Sequence, residues 1–146
     1  MESTINKTLN HVLFLARHLK KCDIGGAVIV VLMELGVPTK SMGFEFLKKA
    51  ILLQRKDPTR SLTNDIYLEI TLHYRQTSEE QVEQCIREAI KLAWRRGSRK
   101  ACDWYFAYDG QTIANKPTNS EFISRIAYIV ELWQECKKKE VSYERE

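Results

Sequence analysis

The chain has 146 residues, 44% of them hydrophobic, which is enough for one domain with its own core. The net charge is +4, and no apolar stretch reaches the roughly 20 residues that a membrane-spanning helix needs. The four cysteines form no C-x-x-C pair and no signal peptide is recognisable, so we expect a cytoplasmic protein with free thiols, not a membrane, secreted or zinc-binding protein.

Three helices are predicted in the first part of the chain. Apolar residues recur at helical spacing from Ile5 to Leu19, and this amphipathic helix either packs on the domain or makes a dimer contact. A second helix runs near Ile24–Leu35 and ends where Gly36 permits a left-handed cap and Pro38 cannot continue it. A third, about Ser41–Gln54, carries the most basic surface, which either solubilises the helix or clamps a DNA backbone: Lys40, Lys48, Lys49, Arg55 and Lys56.

The most informative stretch is the next pair of helices. A segment of about Leu62–Tyr74 leads through the turn Arg75–Gln76 into a long helix that is predicted over Thr77–Arg96. The Thr77 hydroxyl and the Glu80 carboxylate have the spacing of a capping box. This order predicts a helix-turn-helix, with a buried stripe on the long helix that consists of Val82, Cys85, Ile86, Ala89, Ile90, Ala93 and Trp94.

The opposite face of the long helix is polar. Side chains of this kind reach base edges and phosphates when such a helix lies in the major groove of double-stranded DNA, but they also suit an ordinary solvated helix. The candidate DNA-binding residues are Thr77, Ser78, Gln81, Glu83, Gln84, Arg87, Glu88, Lys91 and Arg95.

After Gly97, the segment Ser98–Tyr108 is aromatic, and we expect core anchors at Trp104, Tyr105, Phe106 and Tyr108. The last helix begins at Thr118 or Ser120, and the charged residues from Lys137 onwards are expected to be frayed or disordered. We therefore predict an all-α, compact bundle of about six to seven helices containing a helix-turn-helix. Its organisation is an N-terminal amphipathic helix over 1–22, a domain over 23–136 and a tail over 137–146.

Four segments carry a resemblance to a known family. They are Glu34-Leu-Gly-Val-Pro38, Gly43-Phe-Glu-Phe-Leu47, Arg87-Glu-Ala-Ile-Lys-Leu-Ala-Trp-Arg-Arg-Gly97 and Lys116-Pro-Thr-Asn-Ser-Glu-Phe-Ile123. In this order they resemble the DNA-binding effector domain of the sporulation-initiation response regulator Spo-zero-A. The resemblance implies about six helices, of which the third and fourth form the helix-turn-helix and the last takes part in pairing of domains on tandem DNA sites.

The resemblance is incomplete on the long helix over Thr77–Arg96, which corresponds to the recognition helix of the family. Thr77, Glu83 and Arg87 match the residue types of the family. The family has Arg where this chain has Gln81 and Gln84, and it has His where this chain has Glu88. The connection before Thr77 is also about one residue longer than the corresponding connection in the family. Because Gln suits adenine where Arg suits guanine, and because the added acidic residues repel phosphates, the expected outcome is either altered base preference or lost DNA binding.

Two functions from different classes remain open. One is a sequence-specific transcription regulator that binds DNA, as a homodimer on tandem sites, without the phosphoacceptor receiver domain of the family. The other is a protein-interaction module or decoy that pairs with a full-length sporulation regulator or with the sigma subunit of RNA polymerase. We expect no enzyme activity and no cofactor, because His11, His18 and His73 have the spacing of surface residues, without acidic or Cys partners.

Overall fold

The structure, a computed structural model, describes residues 4–106 and 116–145. These residues form seven α-helices and one π-helical turn and contain no strand, which confirms the predicted all-α fold. In chain order the elements are α1 Thr4–His18, α2 Ile24–Glu34, α3 Met42–Lys56, the π-helical turn Leu62–Ile66, α4 Tyr67–His73, α5 Glu79–Arg96, α6 Arg99–Phe106 and α7 Asn119–Arg145.

α3 is the centre of the bundle and packs against α2, α4, α5 and α7. α1 lies across α6 and α7 and adds Val12, Leu15 and Ala16 to the same core as the other helices. The structure therefore confirms that α1 packs on the domain, and the dimer contact stays a prediction. The largest fully buried side chains include Leu32, Phe46, Leu47, Ile51, Ile86, Tyr105, Phe106, Phe122 and Trp133.

Two glycines fix the position of α5. A Cβ atom on Gly43 of α3 would lie 2.5 Å from the Cys85 carbonyl oxygen and 2.6 Å from the Ala89 Cβ atom, so only glycine lets α3 approach α5 this closely. At the other end of α5, a Cβ atom on Gly97 would lie 2.3 Å from the Leu35 carbonyl oxygen. α5 is thus held at its middle by α3 and at its end by the turn after α2.

α7 is longer than the sequence predicted. It continues through residues 137–145, where a charged and disordered tail was expected. Lys and Glu are good helix formers, and Glu135 and Lys138 form an i, i+3 ion pair with 3.8 Å between their charged atoms. Lys137 also donates a hydrogen bond to the Cys22 carbonyl oxygen, which ties this part of α7 to the start of α2. The division of the chain at residues 22 and 136 stays a prediction.

His11 is buried, with 8% of its surface exposed, whereas the sequence predicted a surface residue without an acidic partner. Its Nε2 atom lies 3.0 Å from a carboxylate oxygen of Glu34 on α2. The two residues are 23 positions apart, so only the packing of α1 on the domain brings them together. All four cysteines are free, as expected. Among the described helices, none has the length and the apolar character to cross a membrane.

Candidate nucleic-acid interface

α4 and α5 are consecutive helices joined by residues 74–78. The connection is compact because the Thr77 N–H donates to the Tyr74 carbonyl oxygen at 3.0 Å. The Tyr74 ring lies edge-on to Phe46 of α3, with 5.3 Å between the ring centroids, and so fixes the turn to the core. This is the order of elements that a helix-turn-helix requires, and its identification as a DNA-binding motif stays a prediction.

The N-terminal cap of α5 is one residue later than predicted. Ser78 is the cap: its hydroxyl accepts from the Gln81 N–H at 3.2 Å, and the Gln81 side chain accepts from the Ser78 N–H at 3.0 Å. The predicted box of Thr77 and Glu80 is therefore wrong. The sequence Thr-Ser-Glu-Glu-Gln contains two overlapping capping patterns, and the Thr77 N–H that the first one needs already donates to the Tyr74 carbonyl oxygen.

The buried face of α5 confirms the predicted stripe. Five of its seven residues are buried, namely Val82, Ile86, Ala89, Ile90 and Ala93, while Cys85 and Trp94 are partly exposed. The start of α7 adds a polar contact, because the Asn119 side chain donates to the Glu83 carbonyl oxygen and to the Tyr67 hydroxyl, both at 3.1 Å. Burial raises the pKa of the Tyr67 hydroxyl. α5 therefore presents its polar face from a well-packed support.

Four of the candidate residues form a connected chain on the exposed face of α5. Arg87 pairs with Glu83 at 2.5 Å and contacts the Gln84 side-chain oxygen at 3.4 Å. The Gln84 amide in turn donates to Glu88 at 3.1 Å. Exposed pairs of this kind contribute only about 0.2–1 kcal/mol, so a ligand that offers better partners can rearrange these side chains at small cost.

Charge is divided between the two halves of α5 and the residues that follow it. Residues 79–88 contain four Glu and one Arg, whereas residues 89–102 contain five Lys or Arg and no acidic residue. This distribution is favourable for the helix itself, because acidic groups near its start and basic groups near its end complement the helix dipole. The positive part comprises Lys91, Arg95, Arg96, Arg99 and Lys100, all of them exposed. We call it the basic end of α5.

Two cations of the basic surface predicted on α3 lie against other helices. Arg55 forms an ion pair with Glu131 of α7 at 2.7 Å and donates to Gln134 at 2.6 Å. Lys48 lies beside the start of α2, where its Cε atom is 4.0 Å from the position of a Cβ atom on Gly25. These two cations therefore serve the packing of α3 against its neighbours on another side.

A further cation near α5 was not among the predicted site residues. A cleft of about 300 Å³ lies between the π-helical turn, α4, α5 and the start of α7, and it brings Lys116 to the same cleft as Glu83 and Arg87. Lys116 belongs to the Lys-Pro-Thr-Asn-Ser-Glu run that carries the family resemblance, and this resemblance is the signal that could have pointed to it. Among the predicted aromatic anchors, Tyr105 and Phe106 are buried, Trp104 is partly exposed, and Tyr108 lies outside the described residues.

The comparison with known families identifies this arrangement. The family model described as "Sporulation initiation factor Spo0A C terminal" matches residues 28–130. The match includes α3, α4, α5 and α6, whereas α1 and the last part of α7 lie outside it. The family consists of DNA-binding effector domains of a sporulation regulator and is not an enzyme family.

Proposed function

The chain belongs to this family, and from that premise we propose that it is a sequence-specific transcription regulator that binds double-stranded DNA through α5 in the major groove. The observation that carries the proposal is the exposed polar face of α5 on a support of buried residues, with the basic end of α5 at its side. Such a regulator acts in the cytoplasm, where the DNA of a sporulating cell lies.

The charge distribution of α5 suggests which residues take which role. Gln84, Arg87, Lys91 and Arg95 follow one another at helical spacing and are all exposed, so they form one stripe along the helix. We assign base contacts to Gln84 and Arg87, because a Gln side chain suits adenine and an Arg side chain suits guanine. Lys91 and Arg95 are assigned to phosphates, because they belong to the half of α5 that contains no acidic residue.

The remaining candidates lie at the acidic start of α5. Ser78 and Gln81 hold each other in the capping box, so we assign them to the start of the helix and not to bases. Thr77 lies in the turn before α5, and we assign its hydroxyl to a phosphate contact. Glu83 orients Arg87 through their ion pair.

Salt dependence tests these assignments. Each phosphate contact lowers the affinity about 3.5-fold between 50 and 200 mM salt, because the logarithm of the binding constant falls with a slope of about 0.9 per contact. The measurement is the binding constant for a labelled duplex of mixed sequence as a function of salt concentration. We expect the double variant Lys91→Ala, Arg95→Ala to have a slope that is smaller by the equivalent of about two phosphate contacts. Lys139→Ala removes an exposed charge near the end of α7 and serves as the control. Equal slopes in the double variant and the control would contradict the assignment.

The acidic start of α5 favours a second candidate function. Glu79, Glu80, Glu83 and Glu88 would repel phosphates, but they suit a basic protein surface. In this alternative the chain is an interaction module that pairs with a full-length sporulation regulator or with the sigma subunit of RNA polymerase. A mixed dimer with such a regulator in a pull-down would support it, whereas no capture under conditions in which the regulator pairs with itself would contradict it. The homodimer on tandem sites also stays a proposal.

A further inference from the structure

α1 and α6 line a cavity that is open to solvent, and α5 contributes no residue to it. The cavity has a volume of about 460 Å³, within the range of about 300–1,000 Å³ that is usual for small-molecule sites. Its walls include the rings of His11, Phe14 and Trp104, and two cations line it, Lys7 from α1 and Lys100 from α6. α1 lies outside the residues that match the family model. One side of this cavity is therefore built by a part of the chain that the family model does not cover.

The aromatic wall of the cavity is preformed. The His11 ring lies parallel to the Trp104 ring, with 3.8 Å between their centroids, and the Phe14 ring continues the stack at 5.9 Å from His11. Behind the wall, both carboxylate oxygens of Glu34 lie within 3.2 Å of His11 Nε2, and the Tyr105 hydroxyl donates to the same carboxylate. The His11 ring is therefore held in place before any ligand arrives, and the Phe14 ring is stacked on His18 with 4.1 Å between their centroids, which lowers the cost of binding.

The open side of the cavity combines exposed aromatic surface with positive charge. Phe14 is a large apolar side chain that is 52% exposed, although most side chains of its size lie in the core. The Lys100 ammonium group lies over the Trp104 ring, 5.7 Å from its centroid. Among the described residues that line the cavity, the two lysines face one carboxylate, that of Asp103, so this part of the lining has a positive balance.

We propose that this cavity binds a small organic anion with a planar aromatic ring. The ring of such a ligand stacks or packs edge-on against Phe14 and Trp104, and its acidic group pairs with the ammonium groups of Lys7 and Lys100. A neutral aromatic molecule lacks the ionic contacts, and an aliphatic anion lacks the ring contacts. The cavity is therefore expected to bind both of these molecules more weakly than an aromatic anion. None of the contacts that we assign to DNA uses a residue of this cavity, although Lys100 also belongs to the basic end of α5, so failure of this proposal leaves the assignments on α5 untouched.

The fluorescent probe anilinonaphthalene sulfonate tests this proposal, because it is an anion with a planar naphthalene ring and its emission rises in apolar sites. We expect saturable binding to the folded chain, and weaker binding of the neutral relative phenylnaphthylamine. Phe14→Ala and Lys100→Glu each alter one half of the recognition, and each is expected to weaken probe binding about fivefold, as the loss of one aromatic or ionic contact does. Leu72→Ala is the matched control, because it removes an exposed apolar side chain, 71% exposed, from α4.

Several results would overturn the proposal. One is an absence of saturable probe binding, and another is equal binding by Phe14→Ala, Lys100→Glu and the control, with circular dichroism showing that all three are folded. Equal affinity for the neutral relative would exclude recognition of an anion. If sedimentation instead shows self-association that Phe14→Ala abolishes, the occupant of the cavity is a second copy of the chain and the proposal is wrong.

Discussion

Replacing Gly43 with alanine tests how closely α3 and α5 pack. The added Cβ atom would lie 2.5 Å from the Cys85 carbonyl oxygen and 2.6 Å from the Ala89 Cβ atom. Because carbon atoms in contact stay about 3.5–4.0 Å apart, the two helices must separate by about 1 Å. Overpacking costs about 1–3 kcal/mol, and the upper part of this range applies because a backbone carbonyl cannot rotate away. The better helix propensity of alanine returns about 1 kcal/mol, so we expect a net loss of about 2 kcal/mol.

Thermal and urea unfolding followed by circular dichroism measure this loss. A change of about 2 kcal/mol corresponds to a decrease in Tm of about 4–8 °C for a chain of this size. Gly25→Ala is the matched control, because it makes the same change on α2, where the nearest atoms to the new Cβ lie at 3.6 and 4.0 Å. That variant should gain up to about 1 kcal/mol in free energy of unfolding. The close packing of α3 on α5 is refuted if Gly43→Ala is as stable as Gly25→Ala.

Three further predictions concern the cap, the alkaline stability and the acidic start of α5. Ser78→Ala should lower the free energy of unfolding by about 1 kcal/mol and Thr77→Ala by less, as urea denaturation can show; equal effects would contradict the observed cap. Burial raises the pKa of the Tyr105 hydroxyl above its ordinary value of 10.0, so the folded state holds its proton more tightly than the unfolded chain. This contribution to stability is complete below pH 10 and is lost as the pH rises further, and Tyr105→Phe should make unfolding less dependent on pH there; an unchanged pH profile would contradict it. Replacing Glu79 and Glu80 with Gln should raise the affinity for duplex DNA about threefold for each charge removed, and an affinity that stays constant in a binding titration would show that DNA does not approach the start of α5.

Local patterns predicted the helices well because they depend on neighbouring residues alone. The stripe from Val82 to Ala93 repeats at the helical period, and this repeat identifies the side of the helix that packs against the rest of the domain. The cap of α5 could not be predicted to the residue, since two capping patterns overlap at Thr77 and Ser78. Which of them is used depends on the geometry of the turn, in which the Thr77 N–H is bonded to the Tyr74 carbonyl oxygen and is not free for a capping box.

Features that depend on distant contacts were not accessible to pattern reading. His11 has the spacing of a polar residue on α1, and it is buried only because Glu34 and Trp104 come to it from α2 and α6. Lys116 likewise reaches the neighbourhood of Arg87 through the packing of α7 on α5. Such pairings involve sequence separations that no helical period reports.

Selection of duplexes from a random-sequence pool by the purified chain, followed by sequencing, tests the central claim most directly. If α5 reads DNA, the selected duplexes share a motif, and Gln84→Ala relaxes the preference at the position that this residue contacts, where a specific contact discriminates by about 1–3 kcal/mol. A pool that shows no enrichment over its starting composition, at low as well as moderate salt, would contradict a DNA-binding regulator and leave the acidic start of α5 as a protein-binding surface.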